Sequence, residues 1–547
     1  MRLEDTLPPV PSAAGAGSVA ARRGWSAGFG GVIRRRLTLE HLLALVLGLL
    51  VLVVHDVPYI LTVSFWDDES WVAATTRFPL SDLRFTTNST PIGFSLVLRV
   101  ITVSRTEDAR LMPLAFAGAA VVIAYWLGRQ LGWRQREAAI AAGVLAAIGV
   151  LLVPAMLVRN DLKQYTADAC VSLLTLGLTS RLERKWSRPA LIGLSVAVWG
   201  GMLFSDAVAF VGAAAFIALC LVQLARRAWR RFAEAAVTGV ITAILMLAVY
   251  KEFDAAAAKS GLVYSPHFRY YYLPFGQGLH ASLKFVIAQF SAVHNIFNLG
   301  PVWLAVPLFV AGVVTVLWLD RPATAIALAA LFPEMMAISA VHKYPFLDLR
   351  SNTFLFAITA ATAAIGVVGI CMALQRWLKE WTVALVALVS VVAAGAFAVG
   401  AAPYVRIHSI PNEDERAQTL YVAAHARPSD VILVNLNSNW GFAYYWPGGR
   451  PGSRPDPANL QGYQAIFPAQ PRIVVAAQRD AAGIRAAIAS ALRLAPHGQC
   501  SRIWLVRTHV NAAELAAWRT VLAQLRLAPA SGGYGVAYIQ LGPAGCR

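Results

Sequence analysis

Between Leu42 and Ala401 the chain is a succession of uninterrupted apolar runs of about 16 to 24 residues. Runs of that length dictate the surroundings as well as the fold. A helix rises 1.5 Å per residue, so about 20 apolar residues span the hydrocarbon of a bilayer. With 58 % hydrophobic and only 14 % charged residues, the chain is also too apolar for one water-soluble domain. Eleven spans follow: 42–63, 112–128, 138–157, 167–182, 189–204, 207–225, 233–250, 299–318, 322–341, 352–375 and 381–401.

The net charge of +18 comes mostly from arginine, and its distribution decides between a nucleic-acid surface and a topology signal. Arg22, Arg23 and Arg34 to Arg36 precede the first span. Arg129, Arg134 and Arg136, then Arg181, Arg184, Lys185 and Arg188, then Arg226, Arg227, Arg230 and Arg231 fall in alternate short loops. The positive-inside rule makes those loops cytoplasmic and leaves no nucleic-acid role. The first run is longer than a signal-peptide core and is followed by no small-residue cleavage pattern, so it stays as an anchor. Residues 1–38, rich in Ala, Gly, Ser, Pro and Arg, read as a disordered cytoplasmic leader.

Ile92 to Val103 is too short to cross, and counting it would put the arginine clusters outside. Residues 64–111 therefore form one exterior loop with two interfacial helices, the first starting at an acidic cluster and the second after Pro91. A second exterior loop runs from Lys251 to about Asn298 and carries Tyr270, Tyr271 and Tyr272. These tyrosines anchor the loop at the interface or bind an acceptor, Tyr270 and Tyr271 being the candidates.

After Ala401 the pattern changes. VILVNL, RIVVAA, RIWLVR and YGVAYIQL are strand-like, and AAELAAWRTVLAQLRLA is helix-like. The chain thus reads as a polytopic α-helical membrane protein of about eleven transmembrane helices, residues 39–401, closed by a small extracytoplasmic α/β domain over 402–547. Cys500 and Cys546 lie in that domain, where an oxidising compartment would join them, whereas Cys170, Cys220 and Cys371 lie within spans and pack.

Under this topology, charges that are expensive in lipid gather on one side. They are Asp67, Asp68 and Glu69 in VSFWDDESWV; Arg159, Asp161, Lys163, Tyr165 and Asp168 in RNDLKQYTADAC; Asp206; and His342, Lys343, Tyr344, Asp348 and Arg350 in HKYPFLDLR. Carboxylates beside cations suit transfer of a group from a phosphorylated, membrane-embedded donor. A carboxylate takes the acceptor's proton, and cations neutralise the departing phosphate. The rival reading of Asp67 to Glu69 is structural, since acids at a helix start stabilise its N-terminus. Asp168 has a rival role as a bridge to Lys163, and Arg159 and Lys163 as snorkelling residues.

WDDES in the first exterior loop, the proline-led TPIGFSLVLRV…EDARLMPLAF, LKQYTADA and the late KYPFLDLR together resemble the C-type glycosyltransferases that use polyprenyl-phosphate sugars. The likeness is to the branch of protein O-mannosyltransferases and the lipid A aminoarabinose transferase. Two features depart from that branch: Thr90-Pro91 stands where the lipid A enzymes carry a lysine beside proline, and the tail matches no carbohydrate-binding module. The resemblance implies an inverting transferase, with a polyprenyl-phosphate sugar as donor and a glycan, lipid or protein acceptor outside the cytoplasmic membrane. It implies Asp67 as base, Asp68 orienting the acceptor or a metal, and Asp168 as second carboxylate. Lys163, Arg159, Lys343 and Arg350 then receive the donor phosphate, assisted by His342. The branch implies no metal cofactor, although three carboxylates would suit Mg²⁺ or Mn²⁺. A transporter or flippase is the alternative. It calls for inverted repeats and polar groups near the midplane, and neither is visible in the sequence.

Overall fold

The structure, a computed structural model, describes residues 39–87, 90–102, 107–159, 161–255, 268–293, 302–375, 382–456, 459, 461–496, 498–542 and 546. The leader expected over 1–38 lies outside these. The described residues from Leu47 onward form one compact unit.

The first apolar run, expected as one span over 42–63, is divided into α1 (Leu39–Leu49), α2 (Val51–Val54) and α3 (Val57–Thr62). The break after α2 has a local cause. The Asp56 carboxylate accepts the Tyr59 N–H at 3.3 Å, and Pro58, which has no N–H, fits only the first turn of a helix.

The loop that follows carries α4 (Asp67–Thr75), α5 (Leu83–Thr86) and α6 (Ile92–Ile101). Helices α4 and α6 start where the acidic cluster and Pro91 place them. Helix α6 buries Ile92, Phe94 and Leu98 and leaves Val100 exposed, and its Phe94 N–H donates to the Leu203 carbonyl at 3.0 Å.

The remaining apolar runs form α7 (Leu111–Gln130), α8 (Arg136–Leu152) with its extension α9 (Pro154–Leu157), α10 (Tyr165–Arg184), α11 (Arg188–Met202), α12 (Val208–Ala225) and α13 (Trp229–Val249). After α14 (Leu279–Ala292) come α15 (Val302–Trp318), α16 (Pro322–Ala340), α17 (Thr353–Leu374) and α18 (Thr382–Ala401). Among the described residues six helices are long and apolar enough to cross a membrane, with shorter apolar helices beside them. The chain is a multi-pass membrane protein. Helix α17 is buried along most of its length and packs on α8, α10 and α15. Gly312 and Gly366 lie where α15 crosses it. A Cβ at either would collide with a backbone carbonyl of the facing helix, so glycine is what permits the close approach.

The tail forms α19 (Glu415–His425), β1 (Val431–Val434), α20 (Asn439–Tyr445), β2 (Gly452–Pro455), β3 (Tyr463–Ile466), β4 (Ile473–Val475), α21 (Ala481–Leu494), β5 (Ser501–Val506), α22 (Ala512–Gln524), β6 (Ala530–Ser531) and β7 (Ala537–Leu541). The main sheet has the order β4-β1-β5-β7-β6, with β1 parallel to β4 and β5, and β7 antiparallel to β5 and β6. Cys500 and Cys546 are joined by a disulfide, Cα–Cα 5.5 Å, beside the β5–β7 pairing.

Side chains alternate across a strand, and here both faces are covered, which is why VILV reads as continuously apolar. Val431, Leu433, Ile503 and Leu505 face Ile484 and Ile488 of α21 and Trp518 and Val521 of α22. Ile432, Val434, Trp504 and Val506 face a core shared with the first loop, including Phe65, Trp71, Val72, Phe78, Trp440 and Tyr463. Hydrogen bonds cross the same boundary: Tyr445 donates to Glu107 at 2.8 Å and accepts the Phe65 N–H at 2.9 Å, and Tyr463 donates to the Trp71 carbonyl at 2.9 Å.

Candidate active site

Asp67, Asp68 and Glu69 occupy the first turn of α4, where successive side chains are about 100° apart, so three adjacent acids point three ways. Glu69 turns into the protein. It is fully buried and paired with the equally buried Arg110, Nε to Oε1 at 2.7 Å and Nη2 to Oε2 at 2.5 Å, and it also accepts the Leu162 N–H at 2.6 Å. Arg110 spends its other N–H groups on the carbonyls of Ile60, Val63 and Ser64. Glu69 is thus a structural acid, holding α4 against α3 and the segment before α10.

Asp68 faces the membrane helices and pairs with Arg350, whose guanidinium lies 5.1 Å over the Trp66 ring. Lys163 is buried with its Nζ 4.2 Å over the Trp71 ring. Burial pulls Lys163 down to about 8, against the pull of Asp68 and Asp161, which favour its charge. Arg159 pairs with Asp161 at 3.5 Å.

Asp67 faces the tail domain. Its N–H donates to Glu413 Oε2 at 3.0 Å, and its Oδ2 lies 3.8 Å from His509 Nε2. Burial raises the Asp67 carboxyl to about 7, opposed by His509. The hydrogen bond to Glu413, Nδ1 to Oε1 at 2.5 Å, holds His509 up to about 9. A buried carboxylate that titrates near neutrality is placed to act as a general base.

The structure brings Asp67, Asp68, Lys163, Arg159 and Arg350 into one cluster but separates others from it. Asp168, in the first turn of α10, faces the turn Ser205–Ala207 and the second acid Asp206 rather than Lys163. His342 and Lys343 are exposed, the His342 ring 5.0 Å from that of Tyr272. Tyr270 is 64 % exposed, and the Tyr271 carbonyl accepts the Phe346 N–H at 2.8 Å and the Ser339 hydroxyl at 3.0 Å. Asp348 accepts from both the N–H and the hydroxyl of Ser351, which closes the 345–352 turn.

Sequence reasoning missed Glu413 and His509. The acid run NEDE just past the last span was the available signal for Glu413, whereas nothing local marks His509.

Among the described residues no three carboxylate, imidazole or thiolate groups converge as a metal site. An apolar groove of about 690 Å³ runs between α11, α12 and α13, from Leu224 and Phe232 to Met202 and Tyr250, close in sequence to the turn that carries Asp206.

The bundle carries an acid-led helix in its first loop and a domain seated over it. Crystal structures of ArnT from Cupriavidus metallidurans are similar: the apo form at a TM-score of 0.52 and 15 % identity over 96 % of this chain and all of that one, and the form bound to undecaprenyl phosphate at 0.50 and 13 % over 95 % and 99 %. The Archaeoglobus fulgidus oligosaccharyltransferase in complex with Zn and sulfate is similar at 0.51 and 12 % over 85 % of this chain and 67 % of that one. No protein-family model matches the sequence, and no curated protein matches it at significant similarity. The chain has the C-type glycosyltransferase fold.

Proposed function

We propose that the protein is an integral membrane glycosyltransferase that moves a sugar from a polyprenyl-phosphate donor to an acceptor on the outer side of the cytoplasmic membrane. The observation that carries this reading is a buried carboxylate, Asp67, in one cluster with the cations Lys163 and Arg350, the latter paired with the neighbouring Asp68. The outer location rests on the disulfide, which persists in oxidising compartments, and on the arginine-rich loops at the opposite helix ends.

In the reaction the acceptor's hydroxyl or amine attacks the anomeric carbon from the side opposite the phosphate, and its proton passes to an Asp67 oxygen. The bond from that carbon to the phosphate oxygen breaks as the new one forms, giving inversion, and the electron pair leaves on the polyprenyl phosphate. Lys163 and Arg350 meet that charge, Arg350 through its forked donors. Asp68 holds Arg350 in place. The groove between α11, α12 and α13 is apolar enough to take the isoprenoid tail. No step requires a metal.

Purified protein given a panel of polyprenyl-phosphate sugars should transfer or hydrolyse one of them. Asp67→Asn, which keeps size and loses basicity, should lower that rate roughly 10²–10⁴-fold without lowering the melting temperature. A normal rate in Asp67→Asn would remove it from this role and turn the search to Asp68 and Asp168. Failure of every donor would count against the reaction itself.

A further inference from the structure

The acidic loop does not form the Asp67 environment alone. Glu413 accepts the Asp67 N–H through one oxygen and meets His509 Nδ1 through the other, and His509 Nε2 returns to the Asp67 carboxylate at 3.8 Å. The three residues close a ring. Glu413 comes from the segment between α18 and α19, and His509 from the segment after β5, where its backbone takes a left-handed φ of 51° and its carbonyl accepts from Asn437 at 3.0 Å.

We propose that His509, oriented by Glu413, is a positioning residue through which the tail domain holds Asp67 ionised and aimed at the acceptor. The proposal rests on the transferase reading above and deepens it.

Other charges also act on Asp67. Asp68 and Glu413 disfavour its charge, and Glu415 and Tyr463 face it as further groups whose ionised forms are negative. Lys163 and Arg479 favour it. His509 is the cation with the largest effect, and it is itself held by two acids. An imidazolium in that position neutralises the site in the free protein, yet it is seated outside the cluster of Lys163 and Arg350 that would receive the donor phosphate.

Two measurements on the full-length protein test this. In the first, histidine-labelled protein is titrated by NMR, with His509→Gln assigning the signal. His509 should titrate near 9 and fall toward the ordinary imidazole value of about 6.5 in Asp67→Asn and in Glu413→Gln. An ordinary value in the wild type, indifferent to Asp67→Asn, overturns the proposal whether or not a sugar donor has been found. In the second, the pH profile of sugar transfer is compared across variants. The acidic limb should move upward in His509→Gln, which removes the favourable cation, costing about tenfold in rate per pH unit on that limb, while affinity for undecaprenyl phosphate stays unchanged. A rate lost in Asp67→Asn but a limb unmoved in His509→Gln overturns this proposal and leaves the base assignment standing. Full turnover in Asp67→Asn overturns both. If His509→Gln does not fold, His509→Asn takes its place in both measurements.

Discussion

At the residue scale, three neighbouring acids have three different roles because helical spacing sends them to different partners, and each role makes a separate expectation. If Lys163 and Arg350 receive the donor phosphate as proposed, Lys163→Ala and Arg350→Ala should each weaken undecaprenyl-phosphate binding by the ~1.5–3 kcal/mol of a hydrogen bond to a charged group, about 10- to 100-fold in Kd. Isothermal titration would measure it, and unchanged affinity in both would leave them as packing residues. In the wild type, binding should also weaken as pH rises through about 8, where Lys163 loses its proton.

Glu415 shows a different behaviour. Its buried carboxyl accepts from Ser70 at 2.6 Å and Thr508 at 3.1 Å, and burial raises it well above the usual range. A carboxyl with a higher value folded than unfolded keeps a proton that the unfolded chain releases. Its contribution is therefore best below the unfolded value of about 4.3 and declines as pH rises toward the folded one. Glu415→Gln, which can serve both hydroxyls without charge, should raise the melting temperature at pH 8 relative to wild type, and Glu415→Ala should lower it. Equal loss in both variants would show that the carboxylate is ionised in place.

At the element scale, the Glu69–Arg110 pair joins the start of α4 to α3 and to the segment before α10. Removing one member of a pair that is wholly buried strands the other charge, so Arg110→Met should cost about 3–5 kcal/mol in a denaturation midpoint, far more than loss of any exposed ion pair here. A cost under ~1 kcal/mol would mean water reaches the site.

The helices were legible because an apolar run of bilayer length admits few conformations, and α4 and α6 were legible from an acidic start and a proline. The break near His55 was not, since Asp56 and Pro58 sit in a run that remains apolar on average. In the tail, the strands VILV and RIWLV could be read from their β-branched and aromatic residues, whereas α19, α20 and the β2–β3 hairpin carry no strong period. The site was half visible. Asp67 and Lys163 stand out as charges in apolar surroundings, but Glu413 reaches Asp67 across 346 residues, and no local pattern reports a contact of that range.

At the scale of the whole molecule, the arginine-bearing turns and the site occupy opposite helix ends, which makes the orientation testable in one experiment. A cysteine replacing Arg230 should resist a membrane-impermeant maleimide in intact cells, while one at the exposed Arg485 in the tail domain should react. Labelling of the first without the second would invert the topology and move the site to the cytoplasm.

The core shared by the first loop and the last sheet also has a consequence for how the protein is made. Phe65, Trp71 and Phe78 are synthesised early and wait for Ile432, Trp504 and Val506 to cover them. Until those strands are made, the aromatic side chains of the first loop have no cover from the last sheet. Folding of the first loop is thus completed by the last part of the chain to be synthesised, and truncation before β5 should leave that aromatic surface bare.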